Sequence, residues 1–196
     1  DGTIAGFVEK PKIFVSDEAI IGIYYFLDGE NLRNELQFLI DNNINKQGEY
    51  QLTDALQNML DKGLKFVTND VKEWLDCGNK NATVNTNQRV LELKNSKEEL
   101  IDKDIDLVNT EIIPPCYIAK GVKITNSKIG PHVSVGEKTT IDNSIISNSI
   151  IQSSCLISNL KFNNSMLGSN VKAESSVLDS SKGNELNLGD YSEIIL

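Results

Sequence analysis

From about residue 112 to residue 196 the chain repeats itself, and this repeat limits its fold more than any other feature. An aliphatic residue returns every five or six positions, at Ile112, Ile118, Ile124, Ile129, Val135, Ile141 and Ile146, with small polar residues between. Such a step is too long for one helical turn and does not match the alternation of a hairpin strand. It fits one side of a triangular coil laid on the next, and three sides complete a turn of a parallel β-helix. The aliphatic residues are then the inward positions. Asn and Ser stand where the coil must corner, at Asn126-Ser127, Asn143-Ser144, Asn148-Ser149 and Asn163-Asn164-Ser165. Asn accepts left-handed backbone angles and its amide can bond its own turn, which suits a tight corner. At about 18 residues per turn the segment holds roughly five coils, above the three needed for a continuous core.

The preceding residues follow another pattern. Residues 3–9 predict a short strand stopped at Pro11, which has no N–H for a ladder. Residues 19–27 are nearly all apolar and predict a strand covered on both faces. Leu32, Leu36, Leu39 and Ile40 share one helical face, and Leu52, Ala55, Leu56, Met59 and Leu60 form a second such stripe that Gly63 ends. Residues 64–68 and 71–75 predict short strands, and residues 83–93 a third helix. Strands alternating with helices indicate an α/β layer domain. Charge rises and large apolar residues thin out over 95–106, which predicts a linker and a division into residues 1–104 and 105–196.

A length of 196 residues accommodates two such domains. The net charge of −9 and pI near 4.7, with no basic cluster, exclude a phosphate-backbone binder, so no nucleic-acid partner is expected. The longest apolar run, 19–27, is too short for a membrane span and contains Gly22, and the chain does not open on a signal-peptide layout. The expectation is a soluble, cytoplasmic protein without a membrane partner. Cys77, Cys116 and Cys155 are far apart and odd in number, which predicts three reduced, largely buried thiols.

Four short motifs succeed one another in the first hundred residues: Phe7-Val8-Glu9-Lys10-Pro11, Gly22-Ile23-Tyr24, Gly48-Glu49-Tyr50-Gln51-Leu52-Thr53-Asp54-Ala55 and Trp74-Leu75-Asp76-Cys77-Gly78. In this order and spacing they resemble the sugar-binding half of the sugar-1-phosphate nucleotidyltransferases. The resemblance covers essentially the whole chain, because long members of that family end in a left-handed β-helix, and Leu186-Asn187-Leu188-Gly189-Asp190 looks like its closing coil. It implies an α/β, partly Rossmann-like nucleotidyltransferase domain followed by a left-handed parallel β-helix. It further implies transfer of a nucleotidyl group from a nucleoside triphosphate to a sugar-1-phosphate, with Mg²⁺ as cofactor.

Site roles follow from the resemblance position by position. Glu9 would accept bonds from sugar hydroxyls and Lys10 would meet the sugar phosphate, although an exposed ion pair at a strand end is the plainer account of the two alone. Gly22 would let the backbone approach the sugar, and Tyr24 would offer a flat wall with a polar tip, or simply pack its strand. Glu49 would reach the sugar as well, whereas Thr53 and Asp54 are expected only to cap the helix they open. Asp76 matches the family's second metal-binding Asp and would share Mg²⁺ with water and a substrate phosphate; an Asx turn toward Gly78 is the alternative.

The glycine-rich triphosphate loop of the family has no counterpart, since no G-x-G occurs, so the chain is expected to begin partway through the catalytic domain and to be inactive as given. His132, the only histidine, stands in Gly130-Pro131-His132-Val133 at a corner where related tails carry Asn. Two other readings stay open: a hexapeptide-repeat acyltransferase using His132 as base, and a structural solenoid that assembles the enzyme. In either case the solenoid implies a homo-oligomer.

Overall fold

The computed structural model describes residues 2–46, 48–179, 181 and 183–196. By contact the chain divides into two compact units, Asp1–Trp74 and Leu75–Leu196. Among the described residues no helix is long and apolar enough to cross a membrane.

The first unit is built on two helices, α1 (Gly29–Asp41) and α2 (Leu52–Asp61). Asp28 caps α1 by accepting from the Asn31 N–H at 3.0 Å. Leu39 of α1 and Ala55, Leu56 and Met59 of α2 are fully buried, as their helical spacing requires. Gly63, at φ 91°, follows the end of α2 in the left-handed conformation that favours glycine. Residues 3–7 run against 64–68 through a bridge between Thr3 and Val67, the Ile4 N–H to Phe66 C=O bond at 3.0 Å and an edge-to-face contact of Phe7 with Phe66. The covered strand expected over 19–27 does not form: the segment has no ladder partner among the described residues, and Ile23, Tyr25 and Leu27 are exposed. Residues 71–75 form no strand either. A strand depends on a neighbour for its backbone groups, and side-chain pattern alone does not supply one.

The second unit opens with α3 (Lys80–Lys94), longer than the 83–93 read from periodicity because Asn79 caps it through the Ala82 N–H at 3.0 Å. Stacked coils follow. Their strands are β1 (Asp106–Val108), β2 (Glu111–Ile112) and β3 (Cys116–Ile118); β4 (Lys123–Thr125), β5 (Lys128–Ile129) and β6 (Val133–Val135); β7 (Thr140–Asp142), β8 (Ile145–Ile146) and β9 (Ser149–Ile151); β10 (Leu156–Ser158), β11 (Lys161–Phe162) and β12 (Met166–Leu167); then β13 (Lys172–Glu174), β14 (Asn187–Leu188) and β15 (Glu193–Ile195). Every ladder is parallel, and the strands form three sheets: β1-β4-β7-β10-β13-β15, β2-β5-β8-β11 and β3-β6-β9-β12-β14. This is the left-handed parallel β-helix that the resemblance implies. The register advances by 17 residues from Asp106 to Lys123 and on to Thr140, then by 16 to Leu156 and Lys172, slightly less than the spacing read from the sequence.

Like residues therefore stack. Ile124, Ile141 and Ile157 are partners on one side, Ile129, Ile146 and Phe162 on the second, Ile118, Val135, Ile151 and Leu167 on the third, and all are buried. Each large aliphatic side chain so covered contributes about 1.5–3 kcal/mol. The corners take positive φ in three columns: Asn109, Asn126, Asn143 and Asn159; His132, Asn148 and Asn164; and Gly121, Lys138, Ser154, Asn170 and Tyr191. Buried serines join successive coils. Ser144 N–H donates to Ser127 Oγ at 3.0 Å, Leu160 N–H to Ser144 Oγ at 3.2 Å, and the same link recurs from Ser165 to Ser149 and from Leu186 to Ser165. Each hydroxyl in turn donates to a carbonyl of its own corner, so these buried polar groups are satisfied.

Candidate active site

In the first unit, Glu9 and Lys10 are exposed on a bend, with Lys10 at φ 43°. Gly22 also sits at positive φ, 79°, with nothing within 4 Å of where a Cβ would stand, so the backbone is open to a close approach there. Tyr24 stacks on Phe26 with ring centres 6.1 Å apart. Burial first, and then the Glu9 carboxylate, push the Tyr24 phenol above its ordinary value of 10.0, so the structure brings these two residues within electrostatic reach of each other. Tyr24 lines a cleft of about 490 Å³ together with Tyr25, Phe26, Phe66 and Trp74, an aromatic wall interrupted by Asp17 and Glu18. Aromatic faces with a few polar groups suit the stacking and edge contacts that a ring-shaped polar ligand needs.

Glu49 lies on the turn before α2, where its backbone exchanges hydrogen bonds with Lys46 and its carboxylate accepts from Gln51. The capping expected of Thr53 and Asp54 is not found. Gln51 is the N-cap, without a side-chain bond, and both residues lie inside the first turn. Asp54 instead pairs with Lys46 at 2.6 Å, and Thr53 Oγ1 and Asp54 Oδ2 are buried without a partner.

Asp76 is exposed in the second unit, so the Trp74-Leu75-Asp76-Cys77-Gly78 motif spans the division between the units. Its Oδ1 accepts from the Gly78 N–H at 3.2 Å, the Asx turn anticipated as the structural alternative. Its carbonyl accepts from the Thr86 hydroxyl at 2.8 Å. Among the described residues no three His, Cys, Asp or Glu side chains gather as a metal cluster. A lone exposed carboxylate still fits a hard cation that takes one or two protein oxygens and completes its shell with water and substrate phosphates.

Cys116 and Cys155 are buried as expected, but Cys77 is exposed beside Asp76, a correction that follows from its place on the turn before α3. His132 occupies the same corner column as Asn148 and Asn164, with φ 62°. Its Nε2 lies 3.2 Å from Glu92 Oε1. Hydrogen bonds from Gln88 and Arg89 hold the Glu92 carboxyl below its usual range, with His132 adding a smaller effect.

A sequence profile of the nucleotidyl transferase family matches residues 1–92, the stretch that carries all four motifs. Residues 1–92 belong to the nucleotidyl transferase family. Similar curated proteins extend the likeness through the solenoid. A glucose-1-phosphate thymidylyltransferase of Streptomyces griseus is 28% identical over 97% of this chain and 56% of its own length. The bifunctional protein GlmU of Clostridioides difficile is 30% identical over 88% of this chain and 39% of its own, and a glucose-1-phosphate adenylyltransferase of Clostridium botulinum is 31% identical over 79% and 41%. The chain thus spans about half the length of the curated relatives it matches.

Within this nucleotidyl transferase part, Glu9 lies within electrostatic reach of Tyr24, Gly22 has a positive φ, and Glu49 lies on the turn before α2. The threonines of α3 that hold the Asp76 turn were not singled out from the sequence. The spacing of Thr83 and Thr86, three positions apart on one helical face just after the motif, is the signal that could have found them.

Proposed function

We propose that the protein carrying this sequence is a sugar-1-phosphate nucleotidyltransferase of the thymidylyl or uridylyl type, joining a nucleoside triphosphate and a sugar-1-phosphate such as glucose-1-phosphate into a nucleotide sugar. The observation that carries this reading is the family match over residues 1–92, together with an alignment to a thymidylyltransferase across 97% of the chain. A sugar-phosphate oxygen attacks the α-phosphate and pyrophosphate leaves, so the protein's work is positioning and charge neutralisation. Lys10 meets the sugar phosphate. Glu9 accepts from the sugar hydroxyls, Tyr24 lies against the ring, Gly22 lets the backbone close in, and Glu49 adds an outer contact. Asp76 holds Mg²⁺, which when bound neutralises the crowded phosphate oxygens. We place the reaction in the cytoplasm, and residues 105–196 serve as the β-helix domain that assembles the enzyme into a homo-oligomer.

The test is pyrophosphate release by the longest protein containing this sequence, with glucose-1-phosphate and each nucleoside triphosphate in turn. Activity is expected with dTTP or UTP, and Lys10→Ala and Asp76→Asn should each lower it at least about 100-fold. Turnover of wild-type rate in either variant would remove that residue from the site. A second reading draws on the Glu92 carboxylate beside His132, which supplies the acid partner an acyltransferase base needs. Acetyl-CoA turnover lost in His132→Asn would establish it. The corner geometry that His132 shares with Asn148 and Asn164 accounts for the residue without catalysis.

A further inference from the structure

The Asp76 turn is tied to α3, and α3 is tied to the coils, within a single unit of the chain. A threonine inside a helix ordinarily returns its hydroxyl proton to the carbonyl four residues back, as Thr83 does with Asn79 at 2.9 Å. Thr86 instead reaches ten residues back, to the Asp76 carbonyl at 2.8 Å, while Thr83 also lies 3.2 Å from the Cys77 carbonyl. The Asp76 carboxylate folds over the Gly78 N–H, and a Cβ at Gly78 would stand 3.0 Å from Asp76 Oδ2, so backbone and side chain are both held.

The other side of α3 is fixed along one corner column of the solenoid. Lys80, its side chain only 16% exposed, donates to the Asn164 carbonyl at 2.9 Å and pairs with Glu185. Asn164 Nδ2 donates to Asn81 Oδ1 at 3.1 Å, Ser134 Oγ to Asn87 Oδ1 at 2.6 Å, and Glu92 meets His132. Val84 and Leu91, seven residues apart on one helical face, are buried. Lys80 Nζ holds the Asn164 carbonyl and the Glu185 carboxylate together, so these two partners tie the first turn of α3 to the coils.

We infer that Thr86 is a positioning residue for Asp76, and that the Lys80–Glu185 pair extends this control to the solenoid, so that the coils set where the metal-binding carboxylate stands. The inference rests on the metal reading of Asp76 given above. It assigns the β-helix a part in the reaction beyond assembly.

Hydrogen–deuterium exchange of the amides at 76–79 in the longest protein carrying this sequence tests it directly. Thr86→Val should speed exchange there about fivefold, the factor for one hydrogen bond, Thr86→Ser should restore it, and Glu185→Gln should speed it to a similar degree, with the thermal melt of the coils unchanged in all three. The Mg²⁺ concentration for half-maximal pyrophosphate release should rise with the exchange rate. Wild-type exchange in Thr86→Val or Glu185→Gln, or a loss that Ser does not repair, overturns the inference. Asp76→Asn separates the two levels of the argument. If it abolishes activity while Thr86→Val exchanges like wild type, positioning alone fails; if it leaves metal-dependent activity intact, the metal reading fails and this inference with it.

Discussion

The Asn143 side-chain amide donates to Asn159 Oδ1, one coil further on, over 2.7 Å, and both residues have left-handed backbone angles. One residue type thus meets two demands along this corner column. Asn143→Ala loses the bond and leaves a Cβ in the left-handed region without the amide that lets Asn tolerate it, at a combined cost of about 2–3 kcal/mol, whereas Asn143→Gly loses the bond but sheds the Cβ. Urea unfolding followed by circular dichroism should rank Ala below Gly below wild type. Equal stability of the Ala and Gly variants would show that backbone strain is not what Asn relieves.

Two glycines of the solenoid give opposite expectations. At Gly130 an added Cβ would lie 2.0 Å from the Ile113 carbonyl oxygen, while at Gly189 it would meet nothing within 4 Å. Gly130→Ala should destabilise the coils by about 3 kcal/mol or more, and Gly189→Ala should change stability by no more than about 0.5 kcal/mol. Similar melts for the two variants would contradict the packing described at the second coil.

Burial pushes the Cys116 and Cys155 thiols above their ordinary value of 9.0. A group whose folded pKa is raised contributes stability that is present below the unfolded value and is lost as pH rises past it. The unfolding free energy should therefore decline above about pH 9, and less steeply in the double variant Cys116→Ala, Cys155→Ala. Alkylation of the native protein at pH 8 should modify Cys77 alone, with the other two thiols labelled only after unfolding. Rapid native labelling at either buried position would count against both statements.

Glu9 and Tyr24 can be tested without substrate. Absorbance titration of the phenols, with Tyr24→Phe subtracted, should give a Tyr24 midpoint above 10.0 that falls in Glu9→Gln. Because burial is the larger cause, it should stay above 10.0 in that variant. No response to Glu9→Gln would separate the two residues and weaken the sugar-site reading.

The homo-oligomer proposed above is expected to form through the β-helix. At the end of the chain Tyr191 and Ile195 are exposed. Light scattering over a dilution series should give a mass above that of one chain for residues 105–196 as well as for the longer protein. A monomer of the solenoid at tens of micromolar would assign assembly to another surface.

The inward face of the solenoid was readable residue by residue. Ile124, Ile141 and Ile157 each see the same environment one coil apart, so a local pattern carries the whole arrangement. Residues 19–27 show the opposite case: their composition suits burial on two faces, but a strand exists only where a neighbour offers its backbone, and no string of side chains encodes that neighbour. The candidate site was legible as motifs in order. The coupling of Glu9 to Tyr24 lies within that reading, whereas the hold of Thr86 on Asp76 and of Glu185 on Lys80 does not. A threonine in mid-helix and a lysine near a helix start are common, and their partners lie 10 and 105 residues away, joined only by packing.

Between β13 and β14 the chain departs from its rhythm, advancing by 21 residues where the coils before it take 16, yet Lys172 still pairs with Glu193 and Met166 with Asn187. The stack is held by its neighbours above and below, and lengthening an excursion whose two ends are already pinned costs only a slowly growing entropy. This corner is therefore a natural socket. A reporter or binding module spliced there would hang from the side of the stack without changing the order of the coils.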